Sequence, residues 1–111
     1  MTSGKGDNPI QSVYADDPDM ADLVRLFVSE LPDRIACFER AWRERRLEDL
    51  ARLAHQLKGA GSGYGYPGIT QAAAELEREL RHLNAPQGVA DVRDELDTLL
   101  NVCRRAIKAC G

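Results

Sequence analysis

Residues 47–68 read LEDLARLAHQLKGAGSGYGYPG, an apolar helical pattern that runs into a cluster of glycines. Leu50, Ala54, Leu57 and Gly61 fall on one side of a helix with 3.6 residues per turn, so this side is predicted to face the core. Five of the nine glycines in the chain lie between residues 59 and 68. Since each glycine inside a helix costs about 0.8–1.0 kcal/mol relative to alanine, packing or function must offset this cluster.

His55 is predicted on the opposite side of this helix, facing water. Ala51, Gly59 and Ser62 lie one or two turns away from it on that side, and Lys58 follows three positions later. Small residues here would let the surface of another protein approach the imidazole closely. We call the surface formed by Ala51, Gly59 and Ser62 around His55 the docking face. A lone exposed histidine is usually just a solvated surface residue, but this combination favours a functional one.

Apolar residues at helical spacing continue through the rest of the chain. Asp17 as N-cap and Pro18 at the first helical position predict the start of one helix, which Pro32 should kink or restart. The boundary before the next helix is placed near Arg46, and NAPQG at residues 84–88 is a predicted turn. The remaining predicted apolar stripes comprise Leu23, Leu26, Phe27 and Leu31; Ile35, Phe38 and Trp42; Ala72, Ala73, Leu76, Leu80 and Leu83; and Val89, Val92, Leu96, Leu99, Cys103 and Ile107.

Helices that are apolar on one side and joined by short turns must pack those sides on one another. The sequence therefore predicts an all-α helical bundle. The chain has 111 residues, which suits a single domain, and residues 1–15 are predicted to form a flexible N-terminal segment, from which Ile10, Val13 and Tyr14 could dock on the body of the domain. On the inner side of its helix, Gly61 would permit close helix packing, and Gly65 could do the same.

Composition excludes several classes of function. The net charge of -3 does not favour nucleic-acid binding, and no apolar run approaches the ~20 residues that span a bilayer. The N-terminus lacks the apolar core of a signal peptide, so a cytoplasmic protein without membrane contact is expected. Three cysteines without a CxxC pair argue against a disulfide framework or a zinc site, and Cys103 and Cys110 are expected to be buried thiols.

Other motifs in the chain are weaker indications of function. GYGYPG at residues 63–68 matches GxGxxG, but a helix precedes it where a dinucleotide site needs a strand. The sequence does not match a phosphate-binding P-loop either, because Lys58 precedes Gly59 and is not followed by serine or threonine. His82 is interpreted as a surface residue near the end of its helix. A hydrolase using His55 as a general base would lack any positioned nucleophile or metal cluster.

The stretch around His55 resembles the histidine-containing phosphotransfer (HPt) domains of bacterial phosphorelays. The family signature, H-x-L-K-G followed by a glycine six residues later, is met by His55, Leu57, Lys58, Gly59 and Gly65. FVSELPDRI and LARLAH also resemble the family, so the likeness extends from about Asp16 over nearly the whole chain. RERRLED departs from it, because many relatives have a glycine-containing turn there.

The resemblance implies an antiparallel four-helix bundle with a short additional N-terminal helix, in a domain spanning residues 16–111. His55 would accept a phosphoryl group from a receiver-domain aspartyl phosphate or a histidine kinase and pass it to a receiver aspartate. Lys58 would stabilise the phosphoryl oxygens, and Gly59 would leave room for the partner. Glu77 matches a glutamate that orients the histidine in a related domain, although it could equally be a solvated helix charge.

Chemistry agrees with this resemblance, because neutral imidazole is a nucleophile near pH 7 and a carboxylate can fix its tautomer. The chain would bind no cofactor or metal of its own, and Mg²⁺ would come from the receiver. Without an ATP-binding region it would be a phosphocarrier, not an enzyme, and is expected to be a monomer. The alternative is a helical adaptor or inhibitor that docks on a kinase without being phosphorylated.

Overall fold

The structure, a computed structural model, describes residues 8–82 and 88–110. It contains four helices in those ranges, with no strand among the described residues: α1 (Ala21–Arg43), α2 (Leu47–Gly63), α3 (Pro67–Arg81) and α4 (Gly88–Cys110). Each helix packs on the next, and α4 returns to pack on α1. Because consecutive packed helices are joined by short connections, they run antiparallel. The predicted all-α four-helix bundle is therefore confirmed.

The core lies between the four helices and is built mainly from aliphatic side chains. On α2 the buried residues are the four that the sequence placed on the core side. On α1 the predicted stripe is partly wrong, because Leu23 and Leu26 are exposed while Val24 and Val28 are buried with Phe27 and Leu31. Fully buried members of the core include Leu31, Leu50, Leu57, Ile69, Leu76, Val92, Leu96 and Leu99. Leu83 lies outside the described residues.

The start of α1 differs from the prediction. Asp17 is not its N-cap: the Asp17 side chain accepts a hydrogen bond from the backbone of Asp19 (2.9 Å), and its carbonyl accepts one from Ala21 (2.9 Å). This arrangement makes a turn, and the helix begins at Ala21. Residues 8–20 contain no helix, so the expected additional N-terminal helix is absent from the described part of the chain.

Pro32 does not restart the helix, which continues through it to Arg43. Because proline has no backbone donor, α1 loses the hydrogen bond to the carbonyl of Val28, but the helix continues on both sides of Pro32, whose own side chain is exposed. The apolar residues before and after Pro32 therefore belong to one helix. The boundary predicted near Arg46 is correct, since α2 begins at Leu47.

The connection between α1 and α2 turns without a glycine. Arg45 adopts a left-handed backbone conformation with φ of 57°, a region that glycine enters more easily than other residues. Its guanidinium group lies 4.5 Å from the ring centroid of Trp42, and it donates a hydrogen bond to the Trp42 carbonyl. These contacts hold a strained residue in the turn.

The described part of the N-terminal segment lies against the bundle. The backbone of Ile10 donates a hydrogen bond to the carbonyl of Arg105 (3.1 Å), and Arg105 Nε donates one to the carbonyl of Asn8 (2.7 Å). Ser12 is buried at the end of α2. Residues 1–7 of the segment predicted to be flexible, and residues 84–87 of the predicted NAPQG turn, lie outside the described residues.

Two further expectations can be compared with the described residues. Cys103 is buried as predicted, but Cys110 is exposed because it lies at the end of α4, so the prediction for this thiol is wrong. None of the helices in residues 8–82 and 88–110 is long and apolar enough to cross a membrane.

Candidate functional site

His55 projects from the exposed side of α2, with 62% of its side chain accessible. The opposite side of the helix is fixed in the core by Leu50, Ala54 and Leu57, each fully buried. The packing of these residues fixes the rotation of α2 about its axis. It therefore also holds the imidazole at the surface, although His55 itself takes no part in that packing. One ring nitrogen can therefore be fixed by the protein while the other faces solvent.

The docking face is open in the structure. A Cβ atom added at Gly59 would meet no other atom within 4 Å. Ser62 is exposed, and Ala51 is half-buried with a small side chain. The structure thus brings all three residues around His55 on one surface, where little obstructs the approach of another molecule.

Glu77 on α3 lies directly beside His55. Its side chain is only 8% exposed, and its Oε2 atom is 3.1 Å from Nδ1 of His55. Lys58 on α2 donates a hydrogen bond from Nζ to Oε1 of the same carboxylate at 2.7 Å. Histidine, lysine and glutamate, which are separated by up to 22 positions in sequence, therefore form one hydrogen-bonded cluster.

Arg81, one turn after Glu77 on α3, completes this cluster. It donates two hydrogen bonds to Oε2 of Glu77, from Nε at 2.9 Å and from Nη2 at 2.7 Å. The motif around His55 does not include this residue. The signal that could have found it is the spacing of four between glutamate and arginine, which places the two side chains together on a helix.

The charge of Glu77 follows from these contacts. The hydrogen bond from Lys58 lowers its pKa most, burial opposes this, and the hydrogen bonds from Arg81 lower it further, so that the pKa falls to about 2. Glu77 is therefore ionised at neutral pH and can only accept hydrogen bonds. Nδ1 of His55 must then carry the proton of their shared hydrogen bond, and Nε2 of a neutral ring keeps a free lone pair.

A close approach of α2 and α3 makes this geometry possible. A Cβ atom at Gly61 would lie 2.8 Å from Oγ1 of Thr70 and 3.1 Å from its backbone nitrogen, so only glycine fits here without movement. Thr70 also donates a hydrogen bond from Oγ1 to the carbonyl of Lys58 at 3.0 Å. The prediction that Gly61 permits tight helix packing is confirmed, and this packing brings Glu77 within reach of His55.

Gly65 has a different role from the one predicted. It follows the end of α2 with φ of +82°, a conformation that other residues rarely adopt. Ser12, Val13 and Tyr14 lie directly above it, and a Cβ atom would approach their side chains to between 2.5 and 2.9 Å. Gly65 thus allows the chain to turn and the N-terminal segment to lie against the turn.

The second histidine is separate from the site. His82 is exposed at the end of α3, where its Nδ1 atom is 2.8 Å from the carbonyl of Arg78. Within residues 8–82 and 88–110, no three or more histidine, cysteine, aspartate or glutamate residues are grouped so that they could hold a metal ion.

Comparison with known proteins identifies the family. The chain has no significant match among curated proteins or among solved structures. A family model described as Hpt domain matches residues 22–106, which is most of the chain and includes all four residues of the hydrogen-bonded cluster. The chain therefore belongs to the Hpt domain family, whose members have a phosphotransfer role in two-component signalling.

Proposed function

We propose that this chain is a phosphocarrier that receives a phosphoryl group on Nε2 of His55 and passes it to the aspartate of a receiver domain. The observation that supports this most is the pairing of an accessible His55 with a buried, ionised Glu77 at 3.1 Å. A histidine without function would have no need for a desolvated carboxylate on its Nδ1 atom.

The transfer step follows from the tautomer that Glu77 selects. The lone pair of Nε2 attacks the phosphorus atom of an aspartyl phosphate, the bond from phosphorus to the aspartate oxygen breaks, and a carboxylate leaves with the electron pair. The imidazole ring becomes positively charged, with its proton still on Nδ1. Glu77 stabilises this charge through the hydrogen bond that also orients the ring. The reverse step delivers the group to a second receiver.

Lys58 and Arg81 have complementary roles in this proposal. Phosphoryl transfer depends mainly on positioning and on stabilising the charge of the phosphoryl oxygens. The Lys58 side chain is 36% exposed, so it can turn from Glu77 towards a phosphoryl group on His55. Arg81 would then keep Glu77 paired through two hydrogen bonds, so that the buried carboxylate is not left without a cation.

The partners proposed for this chain follow from the family to which it belongs. Hpt domains interact with receiver domains and histidine kinases, so either can supply the phosphoryl group. We propose that Mg²⁺ is supplied by the receiver, that this chain binds no cofactor, and that it works as a cytoplasmic monomer. The docking face of Ala51, Gly59 and Ser62 would receive the partner's active site.

The test is phosphoryl transfer from isolated receiver domains that have been phosphorylated with labelled acetyl phosphate. The label should appear on this chain, and its bond should be labile in acid and stable in base, as expected for a phosphorus–nitrogen bond. His55→Gln should abolish labelling without unfolding the bundle, because His55 contributes nothing to the core. His82→Gln, which changes the other exposed histidine, is the matched control and should be labelled normally.

Three outcomes would contradict the proposal. Labelling of the wild-type chain by ATP alone would make it a kinase and not a carrier. If His55→Gln still accepted the label, His55 would not be the phosphoryl acceptor. If the chain regulated a kinase equally well with this substitution, it would act as an adaptor and His55 would be incidental.

A further inference from the structure

The large apolar side chains that are exposed in the described part of the chain lie within one short stretch of the sequence. Val13, Tyr14, Leu23 and Leu26 are exposed by 68%, 36%, 45% and 57% respectively. All four belong to residues 13–26, although the core draws on all four helices. Val13 and Tyr14 precede residue 22, where the match to the family model begins. They are therefore a feature of this chain that the family model does not cover.

The backbone around Val13 is held firmly even though its side chain lies in water. Oγ of Ser12 donates a hydrogen bond to the carbonyl of Tyr64 at 2.6 Å and accepts one from the backbone of Tyr14 at 2.9 Å. The backbone of Val13 donates a hydrogen bond to the carbonyl of Gly65 at 2.8 Å. Because this backbone is already ordered, a partner that covers the Val13 side chain would not have to order it on binding.

Val13 and Tyr14 form one wall of a groove of about 350 Å³ at the end of α2. The other wall comes from α3 and includes Thr70 and Ala74, while Ser62 lies at the edge nearest the site. Ser62 also belongs to the docking face, seven positions after His55 on the same side of α2. Seven residues of helix span about 10 Å, so the groove is continuous with the docking face and close to the reactive nitrogen.

The usual size of a protein interface implies that a partner bound at His55 would also reach the groove. A specific interface covers about 800 Å² on each partner, which corresponds to a disc of about 16 Å radius. A partner centred on His55 would therefore extend over the groove. The docking face itself offers only alanine, glycine and serine, whereas most of the binding energy of an interface comes from a few larger side chains in well-packed pockets. The groove and Val13 are placed to provide this part of the contact.

We propose that Val13 and Tyr14, with the groove behind them, bind apolar side chains of the receiver domain that exchanges its phosphoryl group with His55. The N-terminal segment thereby determines how tightly a receiver binds, while the cluster around His55 carries out the transfer. This inference rests on the proposed function, because it takes a receiver domain as the partner.

The experiment compares two phosphoryl donors. One is a phosphorylated receiver domain that labels the wild-type chain, and the other is phosphoramidate, a small donor that needs no docking surface. Val13→Asn should raise KM for the receiver at least about fivefold and leave kcat at saturation nearly unchanged, since an exposed anchor acts on binding. Labelling of the variant by phosphoramidate reports that His55 remains reactive.

Two control variants sharpen the comparison. Val13→Ile keeps the side chain apolar and should retain the wild-type KM. Thr98→Asn introduces the same amide at an exposed position on α4, which packs on α1 and α3, away from α2. It should leave KM unchanged.

The possible results separate this inference from the proposed function. If the wild-type chain is labelled on His55 but Val13→Asn has the same KM as Thr98→Asn, the groove does not bind the receiver. If the wild-type chain forms a concentration-dependent dimer in sedimentation that Val13→Asn abolishes, the groove binds a second copy and the inference is wrong. If neither donor labels His55 in the wild-type chain, the proposed function itself fails.

Discussion

Replacing Glu77 by glutamine tests the electrostatic centre of the site, because glutamine keeps the shape of glutamate without its charge. In the folded chain the pKa of Glu77 falls from 4.5 to about 2, mainly through the hydrogen bond from Lys58. One pKa unit corresponds to about 1.36 kcal/mol, so the ionised carboxylate contributes up to about 3 kcal/mol to the free energy of unfolding. Because the folded pKa is the lower one, this contribution is present above about pH 4.5 and is lost as the pH falls towards about 2.

The assay is urea unfolding followed by circular dichroism between about pH 3 and pH 7. The difference in unfolding free energy between wild type and Glu77→Gln should approach 3 kcal/mol at neutral pH and fall to about half or less near pH 3. Glu75→Gln is the control, because Glu75 pairs with Arg78 on the surface of the same helix, and such pairs contribute at most about 1 kcal/mol. A difference for Glu77→Gln that stayed constant across this pH range would refute the reasoning.

Further predictions concern the glycines and cations of the site. Gly61→Ala should lower the free energy of unfolding by about 1–2 kcal/mol, as measured by urea unfolding. The steric cost of its Cβ against Thr70 should exceed the gain in helix propensity from replacing glycine. Gly59→Ala, two residues away with open space around it, should instead raise stability by up to about 1 kcal/mol, and equal effects at both positions would contradict the assignment. Lys58→Ala should slow transfer from a phosphorylated receiver about 100-fold without abolishing it, since the nucleophile remains. Arg81→Gln should slow it about tenfold, and an unchanged rate would show that Arg81 does not support Glu77.

The sequence predicted best those features that depend on local periodicity. The inner side of α2 was read correctly because a helix that packs on one side must place its apolar residues 3.6 positions apart, and the same spacing put His55 on the outer side. The stripe on α1 was less accurate. Leu23 and Leu26 fit the helical spacing as well as Val24 and Val28 do, so periodicity alone could not decide which pair faces the core.

Features that depend on contacts between distant residues were harder to predict. The position of Glu77 came only from a likeness to related domains, because the sequence does not state how far α3 is shifted along α2. The packing at Gly61 and Thr70 fixes this shift. Cys110 was misjudged because a helical stripe gives the direction of a side chain and not whether the neighbouring helices extend far enough to cover it.

The glycines that follow His55 are best understood by separating their physical roles. Gly61 faces inwards and allows α3 to come close enough for Glu77 to reach His55. Gly59 faces outwards and leaves the approach to Nε2 open. Gly65 turns the chain with a positive φ and lies beneath Val13, so it fixes the N-terminal segment next to the docking face. The three glycines thus meet three separate requirements, of which those at Gly61 and Gly65 are structural, while the one at Gly59 is the proposed approach of a partner. Since no packing contact requires a glycine at position 59, its cost to helix stability supports the proposal that a second protein comes close to His55.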